Sequence, residues 1–275
     1  MLNKISIFLF YYLIGMFVCF PVSAHEYWLQ PDDFTINSEE RINIHIKIGQ
    51  QFKGNNFAYL PSEIESIEIH LDDKTKPIRP RLGDYPAISY PPLGNGLNII
   101  SLESKVFKLN YETSDKFEKF VRNNGLDWVL AEHNRRRLPP EDFIEAYRRH
   151  AKTLIQVGNV TGQDRQLGME FEWVLKSNPY TDTSDEFVAQ LWWRGKVFAG
   201  SQARLFVKSN DKLTEQLLTT NSDGRVSFKR IPDATYLINA VHMILPEQST
   251  VEETDAVWES RWASLTFATP GDKGK

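Results

Sequence analysis

The feature that most constrains the fold is an alternation of apolar and polar side chains that recurs in many short segments. Residues 41–48 show it most clearly, because isoleucine occupies every second position there: Ile42, Ile44, Ile46 and Ile48. A period of two is the pattern of a β-strand with one buried face. Similar β-prone segments recur at residues 67–71, 98–109, 170–175, 187–193, 203–208, 236–242 and 263–268. The chain is therefore predicted to be mainly β.

Turn signals between these segments suggest how they are arranged. Gly- and Pro-rich pairs punctuate the first half, and the run Asn-Ser-Asp-Gly at residues 221–224 predicts a tight turn in the second. Short strands at regular spacing are typical of a β-sandwich. We therefore predict a β-sandwich domain at residues 170–269, a β-rich N-terminal domain at residues 25–169 and a tail at residues 270–275.

A helical insertion is predicted at about residues 115–152 of the N-terminal domain, where the apolar spacing changes to that of a helix. A first helix has three apolar side chains at this spacing: Phe117, Phe120 and Val121. A second helix is predicted at residues 126–137. Pro139-Pro140 is a suitable start for a third, which would place three side chains on one face: Phe143, Tyr147 and Leu154.

Residues 1–24 have the pattern of a secretory signal peptide. An apolar run at residues 5–20 leads to the small-residue cleavage site Val22-Ser23-Ala24. An uncleaved membrane anchor is the alternative, because the run is nearly long enough to span a bilayer. Cleavage between Ala24 and His25 removes Cys19 and makes His25 the first residue. Since no later segment is apolar enough to cross a membrane, we expect a periplasmic or secreted protein.

Composition and missing motifs exclude several classes of protein. The formal net charge of −4 argues against a general nucleic-acid-binding role. A single cysteine excludes a disulfide framework and a cysteine-based zinc site. The sequence lacks the serine-nucleophile, P-loop, zinc-protease and dinucleotide-binding motifs. We therefore expect a protein that is not an enzyme, with no catalytic and no cofactor-binding residues of these kinds.

Two histidines are candidates for metal binding. After cleavage, His25 offers an amine nitrogen and an imidazole nitrogen from one residue, and such donors suit Ni, Co and Cu. Tyr27 occupies the third position, so the square amino-terminal copper/nickel motif is absent and further ligands must come from the fold. His242 is the preferred extra ligand because it ends an apolar strand at residues 237–241, and Glu26 is a weaker one. The alternative is that His242 is simply a packed side chain.

Several segments together resemble a known family. They are residues 24–31, 147–158, 178–180, 194–200, 223–226, 239–243 and 258–267. This set resembles the bacterial exported family of uncharacterised function that is often labelled a nickel/cobalt-uptake periplasmic component. The resemblance implies a β-rich periplasmic protein with an N-terminal histidine and a link to divalent-metal transport, and it carries over to His25 and to the segment of His242.

The resemblance is incomplete at one place. Many relatives have a histidine after the glycine of the early strand, whereas this chain has Gly49-Gln50-Gln51. Residues 187–242 also resemble the small β-sandwich modules of carboxypeptidase regulatory domains and bacterial adhesins. That second likeness implies an immunoglobulin-like or regulatory-like sandwich, and such modules are often purely structural.

Three functions remain open at this point. The first is a periplasmic protein that binds a divalent transition metal (nickel, cobalt or copper) through His25 and His242, as an accessory or substrate-binding component of metal uptake with a metal transporter or another envelope protein as partner. The second is a non-catalytic β-sandwich module of the envelope that binds a protein or a glycan. The third is a copper enzyme that uses the terminal histidine.

The exported protein is expected to begin at His25. Its intact mass should correspond to the loss of residues 1–24, because the small-residue site at residues 22–24 follows an apolar run. Recovery of a chain that retains Met1 would contradict both the cleavage and the use of His25 as a terminal ligand.

Overall fold

The chain folds into eighteen strands and three helices within residues 26–271, the part that this computed structural model describes. The first nine strands are β1 (Glu26–Pro31), β2 (Thr35–Ile36), β3 (Ile42–Gln50), β4 (Lys53–Phe57), β5 (Ile64–Leu71), β6 (Lys74–Pro77), β7 (Ile88–Tyr90), β8 (Gly96–Ser104) and β9 (Phe107–Tyr111). The other nine are β10 (Phe143–Val157), β11 (Phe171–Leu175), β12 (Glu186–Trp193), β13 (Lys196–Val197), β14 (Gln202–Ser209), β15 (Lys212–Thr219), β16 (Arg225–Lys229), β17 (Ala234–Ile244) and β18 (Trp258–Thr269). The helices are α1 (Ser114–Asn123), α2 (Trp128–Arg135) and α3 (Gln248–Thr254). The predicted signal peptide and His25 lie outside the described residues.

One long sheet, the central sheet, runs through the molecule in the strand order β15-β14-β17-β18-β10-β8-β5-β6, and β2 and β9 also pair with β10. Neighbours in this order are antiparallel except β10 and β18, which run parallel from Glu145 opposite Trp258 to Thr153 opposite Thr266. This parallel pair joins strands from before residue 170 to strands from after it. The predicted boundary therefore falls within one continuous sheet, and the division into two domains stays a prediction.

Two smaller sheets cover opposite faces of the central sheet. The N-terminal sheet contains β1, β3, β4 and β7, and the C-terminal sheet contains β11, β12, β13 and β16. Consecutive residues of β10 show the two faces, because Leu154 packs in the core under the C-terminal sheet and Ile155 packs in the core under the N-terminal sheet. The chain is therefore mainly β with sheets packed face to face, which confirms the predicted fold class.

The alternation in residues 42–48 forms β3 as predicted. Ile42, Ile44 and Ile46 are buried in the core between the N-terminal sheet and the central sheet. Leu29 of β1 lies opposite Ile46 and is also fully buried. A strand with one buried face needs this period of two, because successive side chains point to opposite faces.

The first two predicted helices are present as α1 and α2. Phe117, Phe120 and Val121 are buried and pack in one cluster with Trp258 of the central sheet. Gly125 follows α1 with a φ of +66°, a conformation that glycine adopts without strain. No helix in the described part of the chain has the length and apolar character that crossing a bilayer requires.

The prediction of a third helix was wrong, and the helical insertion does not extend to residue 152. Residues from Phe143 onward form β10, the longest strand. Phe143 and Tyr147 misled the prediction, because residues four apart share a face in a strand as well as in a helix. Leu154 is an odd number of positions from Phe143 and packs under the C-terminal sheet on the other face. The pairing of β10 on both of its edges outweighs its local helical spacing.

A buried ionic group fixes the irregular segment between β10 and β11. The ammonium nitrogen of Lys152 lies 2.8 Å from Asp164 Oδ1 and 3.6 Å from Glu172 Oε2, and all three side chains are fully buried. Asp164 accepts backbone N–H groups of Arg165 and Leu175, and Glu172 accepts those of two residues in the segment. These bonds compensate the desolvation of the charges and hold the segment on the sheet.

Replacing Lys152 by Met should destabilise the fold strongly. The substitution leaves the carboxylates of Asp164 and Glu172 buried without their cation, which costs about 3–5 kcal/mol. Urea unfolding measures the change, and Lys208→Met on an exposed position of β14 serves as the control. A Lys152 variant no less stable than the Lys208 variant would show that the ionic group does not support the fold.

Candidate functional site

The candidate site is a cavity of about 320 Å³ at the start of β1, which we call the polar cavity. Its main polar side chains are Glu26, Lys119, Arg204, Glu215 and Asn239. Its aromatic side chains are Phe120, Phe206 and Trp262. Charged, amide and aromatic groups therefore line one concave surface.

Strand pairing and α1 bring these groups together. Glu26 begins β1 and lies opposite Gly49 of β3, where a Cβ atom would be 1.9 Å from a backbone carbonyl oxygen of β4. Only glycine permits this close approach. On the other side, α1 places the ring of Phe120 on that of Trp262, with 5.8 Å between centroids. The cavity therefore lies between Glu26, the first residue of β1, and the stacked rings of Phe120 and Trp262.

Arg204 of β14 links α1 to the central sheet. Its guanidinium pairs with Glu215 of β15 and donates to the carbonyl oxygen of Asn123 at 2.6 Å. Gln202 donates to the same oxygen at 2.7 Å. The last carbonyl groups of a helix have no partner within the helix, so these two side chains supply donors that a helix end requires. This wall of the cavity is consequently held in place by hydrogen bonds.

Two polar atoms at the cavity lack a hydrogen-bond partner within residues 26–271: Nδ2 of Asn239 and Oε2 of Glu26. Asn239 is only 6% exposed, and an unpaired buried amide is unfavourable. Burial raises the pKa of Glu26 to about 7, against the opposing effect of Arg204. The lining of the cavity therefore contains a buried donor and a buried carboxylate oxygen that no group within residues 26–271 satisfies.

His242, the predicted metal ligand, lies in an aromatic environment. Its ring centroid is 4.4 Å from that of Phe198 and 4.8 Å from that of Trp193. Burial, together with the charges of Arg261 and Arg194, lowers the pKa of His242 to about 4. The imidazole is therefore neutral near pH 7, and the nearby Arg194 and Arg261 are both paired with Glu170.

The structure does not bring His242 to the start of β1. Asn239 and His242 are an odd number of positions apart in β17, so they face opposite sides of the central sheet. Asn239 lies on the side of Glu26, the residue that directly follows His25. The position of His25 is outside the described residues. Across residues 26–271, no three His, Cys, Asp or Glu side chains are grouped to hold a metal ion, and metal binding by His25 stays a prediction.

Sequence analysis did not select Asn239, Arg204 or Trp262 as site residues. A signal for Asn239 was present, because it is the one strongly polar residue within the apolar run at 237–241. The same run drew attention to His242 instead. Arg204 carried no signal, since an arginine on an alternating strand is normally solvent-exposed.

The fold and this cavity define a mainly β protein with a concave site of charged, amide and aromatic side chains. The chain belongs to the family described as Domain of unknown function (DUF4198), whose model matches residues 22–244. No curated protein matches the chain. The family is therefore confirmed as one of uncharacterised function, and no named relative supports a nickel or cobalt label.

Two solved structures have a low similarity to the chain. "Crystal structure of tetra-tandem repeat in extending region of large adhesion protein" has 11% identity over 89% of this chain and 49% of that one, with a TM-score of 0.20. "Biofilm associated protein - BSP domain" has 10% identity over 90% of this chain and 30% of that one, with a TM-score of 0.19. The chain spans half or less of these proteins, and TM-scores this low support no statement about function.

Replacing Glu26 by Gln should change how stability depends on pH. The folded chain keeps the Glu26 proton up to about pH 7, whereas the unfolded chain releases it near the ordinary pKa of 4.5. The folded state binds more protons between these values, so the stability from this group falls as pH rises through them. From about pH 5 to about pH 8, the parent should lose about 1–2 kcal/mol more than Glu26→Gln in urea unfolding, allowing for partial exposure.

Other groups also titrate between about pH 5 and about pH 8, so the test depends on the difference in pH dependence between the parent and Glu26→Gln. Burial also raises the pKa of Glu145 to about 7, and burial lowers the pKa of His150 to about 4, which acts in the opposite direction. Both contributions are common to the two chains and cancel. Glu186→Gln, at an exposed position of β12, is the control. The same pH dependence in the parent and in Glu26→Gln would contradict the expectation.

Proposed function

We propose that the protein is a non-catalytic β-sandwich module of the cell envelope that binds a saccharide in the polar cavity. The observation that carries the proposal is the unpaired Asn239 amide, 6% exposed, in one cavity with an unpaired oxygen of Glu26. A sugar hydroxyl both donates and accepts hydrogen bonds, so one class of ligand satisfies both groups.

The remaining lining of the polar cavity suits the same class of ligand. Phe120 and Trp262 give an apolar wall on which the C–H face of a sugar ring can pack. A cavity of about 320 Å³ is near the lower end of the range for small-molecule sites, about 300–1,000 Å³. A site of this size accommodates a short saccharide segment and is too small for a protein surface, which favours a glycan over a protein partner.

An envelope location follows from the predicted signal peptide at residues 1–24. Export would place the polar cavity among the polysaccharides of the envelope. The proposal includes no chemical step, and the bound saccharide is expected to leave unchanged.

Metal binding is the second candidate function, and one observation favours it. The unpaired Oε2 of Glu26 belongs to the residue that directly follows His25 in the sequence, so the neighbouring residue offers a carboxylate oxygen in addition to the proposed amine and imidazole ligands. Nickel, cobalt and copper are the metals expected for such donors. The terminal amine must lose its proton to bind, so affinity should fall as pH decreases to about 6. His242 has no part in this version of the site.

Replacing Asn239 by Ala should weaken saccharide binding by about tenfold or more, because the cavity loses a buried donor. Calorimetric titration of the mature protein with short neutral and uronate-containing oligosaccharides measures the affinity, and chromatography of the recovered sugar shows whether it is intact. Asn110→Ala, on an exposed position of β9, is the matched control and should bind like the parent.

The outcomes separate the two candidates. Equal saccharide affinity in the Asn239 and Asn110 variants, or no binding of any oligosaccharide, would refute the saccharide proposal. Titration of the same protein with Ni²⁺ and Cu²⁺ tests the second candidate, which requires tight binding that is lost when one alanine precedes His25. Cleaved sugar products would show that the module is catalytic.

A further inference from the structure

A second cavity, of about 290 Å³, lies between the N-terminal sheet and the central sheet, and we call it the aromatic cavity. Its apolar lining includes Ile46, Ile48, Phe57, Leu60 and Ile64. Phe107 of β9 and Tyr147 of β10 form a stacked pair in its wall, with 5.3 Å between ring centroids. The cavity is separate from the polar cavity and shares none of its lining residues.

A guanidinium without a carboxylate partner lies in this apolar lining. The central carbon of Arg149 is 4.8 Å from the ring centroid of Tyr147, 5.0 Å from that of Tyr27 and 5.6 Å from that of Phe107. Within residues 26–271, no carboxylate oxygen lies within 4.0 Å of its nitrogens, and Nε is buried with no hydrogen-bond partner. Aromatic faces stabilise the charge, but they leave its N–H donors free.

A second free donor lies on the same cavity. The hydroxyl of Tyr27 has no hydrogen-bond partner among the described residues, and Tyr27 is 6% exposed. Burial raises the pKa of this phenol above its ordinary value, so it stays protonated. The lining of the aromatic cavity therefore contains two kinds of buried donor, from Arg149 and Tyr27, and residues 26–271 supply no acceptor for them.

The strand that carries Arg149 is fixed before any ligand arrives. The backbone N–H of Arg149 donates to Ser104 Oγ at 2.9 Å, and β10 is paired along both edges in the central sheet. A guanidinium held on a rigid strand by three rings loses little freedom when it binds an anion, which favours affinity.

We propose that the aromatic cavity binds a small carboxylic acid with an aromatic or branched apolar body. Its carboxylate would accept hydrogen bonds from the Arg149 guanidinium and the Tyr27 hydroxyl, and its body would pack against Ile46, Ile48 and Phe57. A planar carboxylate matches the donor geometry of a guanidinium. This inference concerns a site distinct from the polar cavity and does not rest on the saccharide proposal.

The lining of the aromatic cavity also favours a ligand with a single negative charge. Glu63 lies on the aromatic cavity, so a doubly charged phosphate would meet a like charge there. A carboxylate with an apolar body carries one charge and covers the apolar wall. Glu63 could in addition accept a hydrogen bond from an α-amino group, which makes an amino acid one form of the ligand to test.

Calorimetric titration of the mature protein with phenylacetate, phenylalanine, 4-methylpentanoate and inorganic phosphate tests the proposal. At least one of the three carboxylates should bind, and more tightly than phosphate. Tyr27→Phe keeps the ring and removes only the hydroxyl, and it should weaken carboxylate binding by about tenfold. Arg149→Met should abolish binding, and Arg149→Lys should weaken it because lysine lacks the planar pair of donors.

Arg148→Met is the matched control, since Arg148 is the adjacent residue of β10 and faces the other side of the central sheet. Its binding should equal that of the parent. The proposal is overturned if no carboxylate binds, if phosphate binds as tightly as the carboxylates, or if Tyr27→Phe and Arg148→Met have the same affinity. Thermal unfolding of each variant identifies one that fails to fold, and Tyr27→Phe then decides the result.

Discussion

The parallel pairing of β10 with β18 is the constraint on which the rest of the structure depends. It joins strands from both halves of the chain into one sheet, and smaller sheets then cover both faces of that sheet. A strand in this position has no solvent-facing side for most of its length. Its charged residues must therefore find partners inside the protein or remain unpaired at a cavity.

The charged residues of β10 include both kinds, those with partners and those without partners in the described part of the chain. Lys152 faces the C-terminal sheet and has two carboxylate partners with their own backbone donors. Glu145 accepts hydrogen bonds from the hydroxyl of Tyr111 at 2.7 Å and from Ser260. Arg149 shares the face of Glu145, but its guanidinium packs on aromatic rings and has no carboxylate within 4.0 Å among residues 26–271. Complete sets of partners indicate a structural role. Arg148 and Arg149 both have an Nε that is unpaired within the described residues, but only Arg149 lines the aromatic cavity with the unpaired Tyr27 hydroxyl, and this combination is the reason to assign it a ligand.

The sequence predicts most of the strands, both those with one buried face, such as β3, and those buried on both faces, such as β11 and β18. Alternating isoleucines identified β3, whereas residues 143–152 of β10 were predicted as a helix because Pro139-Pro140 precedes them and Phe143 and Tyr147 have helical spacing. The site was less predictable still. Asn239 interrupts the apolar run that His242 ends. Only the strand pairing shows which face of the sheet each side chain occupies and that Asn239 lines the polar cavity. Whether a buried polar group has a partner depends on residues far away in sequence, and no local pattern records it.

β1 lies between the two cavities and contributes a lining residue to each of them. Glu26 and Tyr27 are consecutive, so they point to opposite sides of β1, and each lines one cavity. β1 is held by its pairing with β3 and by the Thr266 hydroxyl, which donates to the carbonyl oxygen of Leu29 at 2.6 Å. The unpaired groups differ between the two cavities. Those of the polar cavity are the Asn239 amide and the Glu26 carboxylate, whereas those of the aromatic cavity are donors, from Arg149 and Tyr27. The first set suits a hydroxyl-rich ligand and the second an anion, so one short strand presents two different chemistries.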